Sequence, residues 1–156
     1  MKSDRTLLQI SVRLLAIAGI ALIRTLPARA DVYGLWLHKD GGTLRIRNCA
    51  DGVCGTIASV NGVDPETGQP PTDKKNADPK LRNRPLVGIP VVMGMRPTGP
   101  GKWTGRLYNV GDGHTYTGNL IEIGPDAVRI EGCMFGICGG ENLVRASARG
   151  EVSRSR

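Results

Sequence analysis

Apolar and polar residues alternate with a period of two along most of the chain after residue 31. Thr43 to Cys49 is the clearest case, with Leu44 and Ile46 on one face and Arg45 and Arg47 on the other. This pattern marks a strand with one buried face. Val32 to His38 predicts a first strand, and Asp40-Gly41-Gly42 predicts a hairpin turn into the second, Thr43 to Cys49. Ala50 to Val53 reads as a four-residue turn and Cys54 to Val60 as a third strand. Val87 to Met95, bent at Pro90, predicts a fourth, and Trp103 to Asn109 a fifth. Thr115 to Ile123, Ala127 to Cys133 and Cys138 to Arg145 complete the set. Every connection but one is short enough for antiparallel neighbours. The expected fold is all-β: an eight-stranded antiparallel up-and-down barrel, which leaves no sheet edge exposed.

The exception is the connection between strands three and four. Asn61 to Leu86 carries Pro65, Pro70, Pro71, Pro79 and Pro85 and almost no apolar periodicity. Asp78-Pro79 predicts one helical turn, with Asp78 as N-cap and proline at the first helical position. Loops this long inside a compact domain are uncommon and tend to be functional. Asp73, Asn76, Asp78, Arg82 and Arg84 concentrate groups able to make bidentate polar contacts. They fasten the loop to the barrel rim, or form a lid whose arginines meet an anionic ligand group, and the two roles are compatible. Tyr108 and Tyr116, on the fifth and sixth strands, are further candidate ligand contacts.

The first thirty residues read as a signal peptide rather than as part of the fold. Lys2, Arg5 and Arg13 form a positive region, Leu14 to Ile23 an apolar run, and Ala28-Arg29-Ala30 a cleavage site. The run is too short to cross a bilayer, which takes about 20 apolar residues. The expected product is exported, periplasmic or secreted, starts at Asp31 and has no integral membrane segment. Residues 147–156 read as a polar, disordered tail, so the domain is expected over residues 31–146.

Export changes the charge argument. The whole chain carries +7, but five of its 21 basic residues and one of its 14 acidic residues lie in the first thirty, which leaves +3. Aromatic residues are few, with two Trp, three Tyr and one Phe. A single-strand binder needs aromatic platforms in a basic groove, so no nucleic-acid partner is expected.

Four cysteines occur in two matching contexts, Arg45-Ile46-x-x-Cys49-x-x-Gly52-x-Cys54-Gly55 and Arg129-Ile130-x-x-Cys133-x-x-Gly136-x-Cys138-Gly139. Each pair flanks a turn and faces across a hairpin, within reach of a disulfide. Successive turns of an up-and-down barrel alternate between its ends, which places the two pairs on opposite rims. Cys49–Cys54 and Cys133–Cys138 are therefore the expected bridges, each stabilising by about 2 kcal/mol through its short loop. Zinc ligation would call for nearby histidines, and His38 and His114 lie far from both pairs in sequence. No nucleophile, phosphate cradle or metal motif is signalled, so no catalytic residue, metal or cofactor is expected.

Gly34-Leu35-Trp36 on the first strand and Arg145 on the last resemble the structural signature of lipocalins and related calycin barrels, in which an arginine stacks on a tryptophan that plugs one end. A second resemblance is more specific. Thr72-Asp73-x-x-Asn76-x-Asp78-Pro79-x-Leu81-Arg82-x-Arg84-Pro85-Leu86-x-Gly88 is similar to a segment of the bacterial family called domain of unknown function 2147. Gly34-Leu35-Trp36, Cys49, Cys54, Trp103 to Tyr108, Tyr116-Thr117-Gly118 and Arg145 agree in order, from Asp31 to Ala146. His114 stands where the family pattern has a lysine, and the second cysteine pair departs from it. The resemblance implies an exported lipocalin-like barrel without an established activity. The expected partner is a small apolar or amphipathic ligand held in or at the mouth of the barrel. The alternative is a structural or interaction protein of the cell envelope with a filled barrel. Oligomeric state is not legible.

Overall fold

The computed structural model describes residues 31–146. The signal-peptide and tail assignments lie outside them. Eight strands follow one another around a closed antiparallel barrel: β1 (Gly34–Leu37), β2 (Thr43–Cys49), β3 (Gly52–Ser59), β4 (Pro90–Gly99), β5 (Lys102–Asn109), β6 (His114–Gly124), β7 (Ala127–Met134) and β8 (Ile137–Arg145). Each strand pairs with its chain neighbours, and β1 returns to β8 through Trp36↔Arg145 and Leu37↔Val144. The barrel and its strand count are those predicted from alternation.

The strand positions differ most from expectation at the two cysteine hairpins and in the fourth strand, which also runs past the expected Met95 to Gly99. Both cysteine hairpins are tighter than the predicted four-residue turns. Cys49 pairs with Gly52 and Met134 with Ile137, so each loop has two residues. The reason is glycine: Gly52 (φ 120°) and Gly136 (φ 81°) adopt left-handed backbone that a side chain resists, so each chain reverses early. The two bridges form as paired in the sequence, Cys49–Cys54 and Cys133–Cys138, at opposite ends of the barrel. Their registers are unlike. Cys133 lies directly opposite Cys138, with Cα atoms 4.0 Å apart. Cys54 lies opposite Arg47, so the first bridge is diagonal, with Cα atoms 6.0 Å apart. The fourth strand begins at Pro90 instead of Val87. Proline has no N–H for a ladder and suits a strand's first position; Gly88 and Ile89 still exchange backbone hydrogen bonds with Ile57.

The core fills one end of the barrel. Trp36, Ile46, Met95, Leu120, Val128 and Leu143 are essentially inaccessible. Trp36 donates its indole N–H to the carbonyl of Val32 at 2.9 Å. The Arg145 guanidinium lies 4.4 Å from the Trp36 ring centroid and donates to the carbonyls of Tyr33 and Asp31. Asp126 adds an ion pair at 3.3 Å. Chain entry, chain exit and end plug are thus tied at one point. Trp36→Ala should lower stability by about 3–5 kcal/mol, the range for emptying a large buried aromatic site. Arg145→Ala should cost about 1–2 kcal/mol, because it removes a stacked cation and its carbonyl contacts. Urea unfolding monitored by circular dichroism measures both; midpoints equal to wild type in both variants would contradict the plug.

Candidate binding cup

Above the core the barrel is hollow. A cavity of about 870 Å³ opens at the end carrying the β1–β2, β5–β6 and β7–β8 turns and the base of the long loop. Its deep wall comes from inward positions: Leu44 on β2, Ile57 on β3, Leu107 on β5, Ile130 on β7 and Leu143 on β8. Gly132 and Gly139 also line it, and a Cβ at Gly139 would meet no atom within 4 Å. Gly132 packs against Tyr116, whereas the missing side chain at Gly139 leaves open space beside the cup.

The rim is polar. Asp112 accepts hydrogen bonds from the Tyr116 hydroxyl (2.8 Å), the Asn109 amide (2.8 Å) and the His114 N–H (2.9 Å). Burial works to raise the Asp112 pKa, but these hydrogen bonds and the His114 ring hold it below the ordinary 3.8. The hydrogen bond to Asp112 is the main reason that the Tyr116 hydroxyl is raised above 10.0. His38 touches Glu141 through Nε2 and Asp40 through Nδ1.

The long loop closes on itself and stands on the rim. Its base is a clasp in which Thr72 bridges Pro85, Asp73 N–H donates to the Arg84 carbonyl and Leu86 N–H to the Pro71 carbonyl. At its centre is Asp73, fully buried. Its carboxylate accepts from Tyr108 Oη (2.7 Å), Asn76 Nδ2 (2.8 Å), Arg84 Nε (3.0 Å) and Arg84 Nη2 (2.7 Å). Burial pushes the Asp73 carboxyl upward, but the hydrogen bonds and the Arg84 charge outweigh it and hold the pKa below 3.8. Burial and the neighbouring Asp73 both raise the Tyr108 hydroxyl. Asp78 caps the predicted turn, a 3₁₀ helix at Pro79–Leu81, by accepting from Lys80 N–H. Arg82 donates to the Asn76 carbonyl at 2.8 Å. At Gly113 (φ 77°) a Cβ would overlap the Lys75 carbonyl, so glycine lets the loop lie on the β5–β6 turn.

The sequence candidates therefore divide. Asp73, Asn76, Asp78, Arg82 and Arg84 hold the loop in place through one another and through Tyr108. Tyr108 and Tyr116 line the cup; Arg82 and Arg84 do not. Sequence reasoning missed His38, Asp40, Asp112 and Glu141, which do. Alternation held the signal for two of them: His38 lies two residues beyond Trp36, and Glu141 two before Leu143, both inward residues. His114 opens β6 with its side chain 70% accessible.

Asp73→Ala should lower stability at pH 7 by about 2 kcal/mol, less than a wholly enclosed ion pair because Arg84 is partly solvated. Proteolysis between Asn61 and Leu86 should rise with it. The folded pKa of Asp73 is depressed, so its contribution is present above the unfolded value and is lost as pH falls through the folded value. The variant should therefore lose less stability than wild type on acidification below about pH 4. Parallel pH dependences in urea titrations would contradict the anchor.

A family model described as "Uncharacterized protein conserved in bacteria (DUF2147)" matches residues 34–145. Among solved structures, the chain is similar to protein HP1028 from the human pathogen Helicobacter pylori, described as belonging to the lipocalin family. The two are 20% identical, the match covers 76% of this chain and 85% of that one, and the TM-score is 0.62. At that identity the likeness is one of fold. No curated protein matches the chain. The match spans all eight strands, the loop clasp and the Trp36–Arg145 plug, and the chain belongs to the DUF2147 family of uncharacterized bacterial proteins, on a lipocalin-like barrel.

Proposed function

We propose that this protein is an exported binding protein that holds one small apolar or amphipathic molecule in the barrel cup. The observation that carries the reading is the open cavity of about 870 Å³ above a closed apolar floor. This volume lies within the range of about 300–1,000 Å³ of small-molecule sites, which combine apolar walls with a few polar groups. Gly139 supports the same reading. A barrel this size is just wide enough for its side chains to fill it, and glycine at an inward position forgoes that packing. Binding of a molecule that supplies the missing contacts offsets the loss. We read the protein as a binder rather than a catalyst, with all four cysteines engaged in disulfides. Export rests on the sequence of residues 1–30.

The alternative, a protein acting through its outer surface, draws on the β7–β8 tip, where Met134, Phe135 and Ile137 are exposed. The same side chains border the cup, so an apolar tip also serves a ligand entering the barrel.

Titration with Nile red, a neutral apolar dye, tests the cup. Wild type should enhance its fluorescence saturably. Gly139→Phe should weaken binding about tenfold, a loss of about 1.4 kcal/mol. Its urea midpoint should stay at or above wild type, because the new ring enters empty space from backbone outside the left-handed region. Absence of saturable binding, or equal affinity in a folded variant, would contradict the cup.

A further inference from the structure

Among the described residues, Asp40, Asp112 and Glu141 line the cup together with His38, Tyr108 and Tyr116, and no lysine or arginine side chain does. Glu141 is the informative one. It lies on β8 opposite Ile130, two residues from the buried Leu143, at a position that alternation would give to an apolar residue. Its side chain is 41% accessible, so the carboxylate stays partly hydrated at the upper wall of the cup, where a ligand can reach it.

The basic groups that touch these carboxylates are His38, Lys39 and His114. His38 spans two carboxylates, with Nδ1 2.8 Å from Asp40 Oδ1 and Nε2 on Glu141 Oε2. Lys39, largely solvated, reaches Glu141 at 3.3 Å. His114 stands 3.6 Å from Asp112. Arg84, the loop cation nearest Tyr108, is bound to Asp73. An anionic head group in the cup would therefore meet three carboxylates and no lysine or arginine of its lining. A protonated amine would add a partner to Glu141 or Asp40 while its chain lay against Ile57, Leu107 and Ile130. Coulomb interactions of a few ångströms are strengthened at such a half-enclosed site relative to open water.

We propose that the cup selects a cationic amphiphile: one apolar chain or ring system ending in an amine, with the ammonium at Glu141. The proposal rests on the cup being a binding site. It differs from the sequence-based reading in which loop arginines meet an anion: Arg82 and Arg84 fasten the loop and do not line this cup.

The test is calorimetric titration of the intact, disulfide-bonded protein with dodecylamine, dodecanol and dodecanoate at low salt, each below its aggregation concentration. The three share a tail and differ in head-group charge. The amine should bind about tenfold more tightly than the alcohol, and the carboxylate more weakly than either. Glu141→Gln should cut the amine's advantage over the alcohol about fivefold. Raising the salt concentration on wild type should shrink the same advantage, which needs no variant to fold. Equal or tighter binding of dodecanoate would overturn the proposal and leave the cup standing. So would an amine preference unaffected by both Glu141→Gln and salt. Failure of all three tails to bind would overturn the cup and the proposal with it.

Discussion

The seam between β1 and β8 is the constraint on which everything else depends. β1 has four residues, and only Trp36 and Leu37 pair with the last strand. So short a ladder is weak by itself. It holds because Arg145, the residue paired with Trp36, also stacks on its ring and takes the carbonyls of Asp31 and Tyr33. If the seam opens, β1 and β8 become free edges, and the floor beneath the cup loses its largest side chain. Cup and closure are thus one design: a packed end that holds the barrel shut and a hollow end that the closed barrel can sustain.

That division of labour was partly legible in the sequence. Period-two alternation in stretches such as Thr43 to Cys49 identified eight strands, and the short turns between them implied their order. Cysteine pairing followed from order alone. Registers did not, because Gly52 and Gly136 shorten both cysteine turns through backbone conformations that a residue pattern does not record. The strand-four start was lost to Pro90, which looks like an interruption and is a beginning.

The site was less legible than the fold, for a physical reason. A cavity is made by what is missing, and Gly139 looks in sequence like one more turn glycine after Cys138. The conspicuous polar residues of the long loop satisfy one another: a buried Asp73 must be compensated, and Arg84, Asn76 and Tyr108 compensate it. Two of the polar groups that face the cup, His38 just past β1 and Glu141 on β8, lie about a hundred positions apart, and only barrel closure brings them together.

The central claim is that the hollow half of the barrel exists to hold a molecule. It is tested most directly by native mass spectrometry of the protein purified gently from the cells that make it. The account predicts a discrete species heavier than the folded chain by a few hundred daltons, with the extra mass released on denaturation. A folded, disulfide-bonded chain carrying no added mass, and taking up none when incubated with a lipid extract of the same cells, would contradict it.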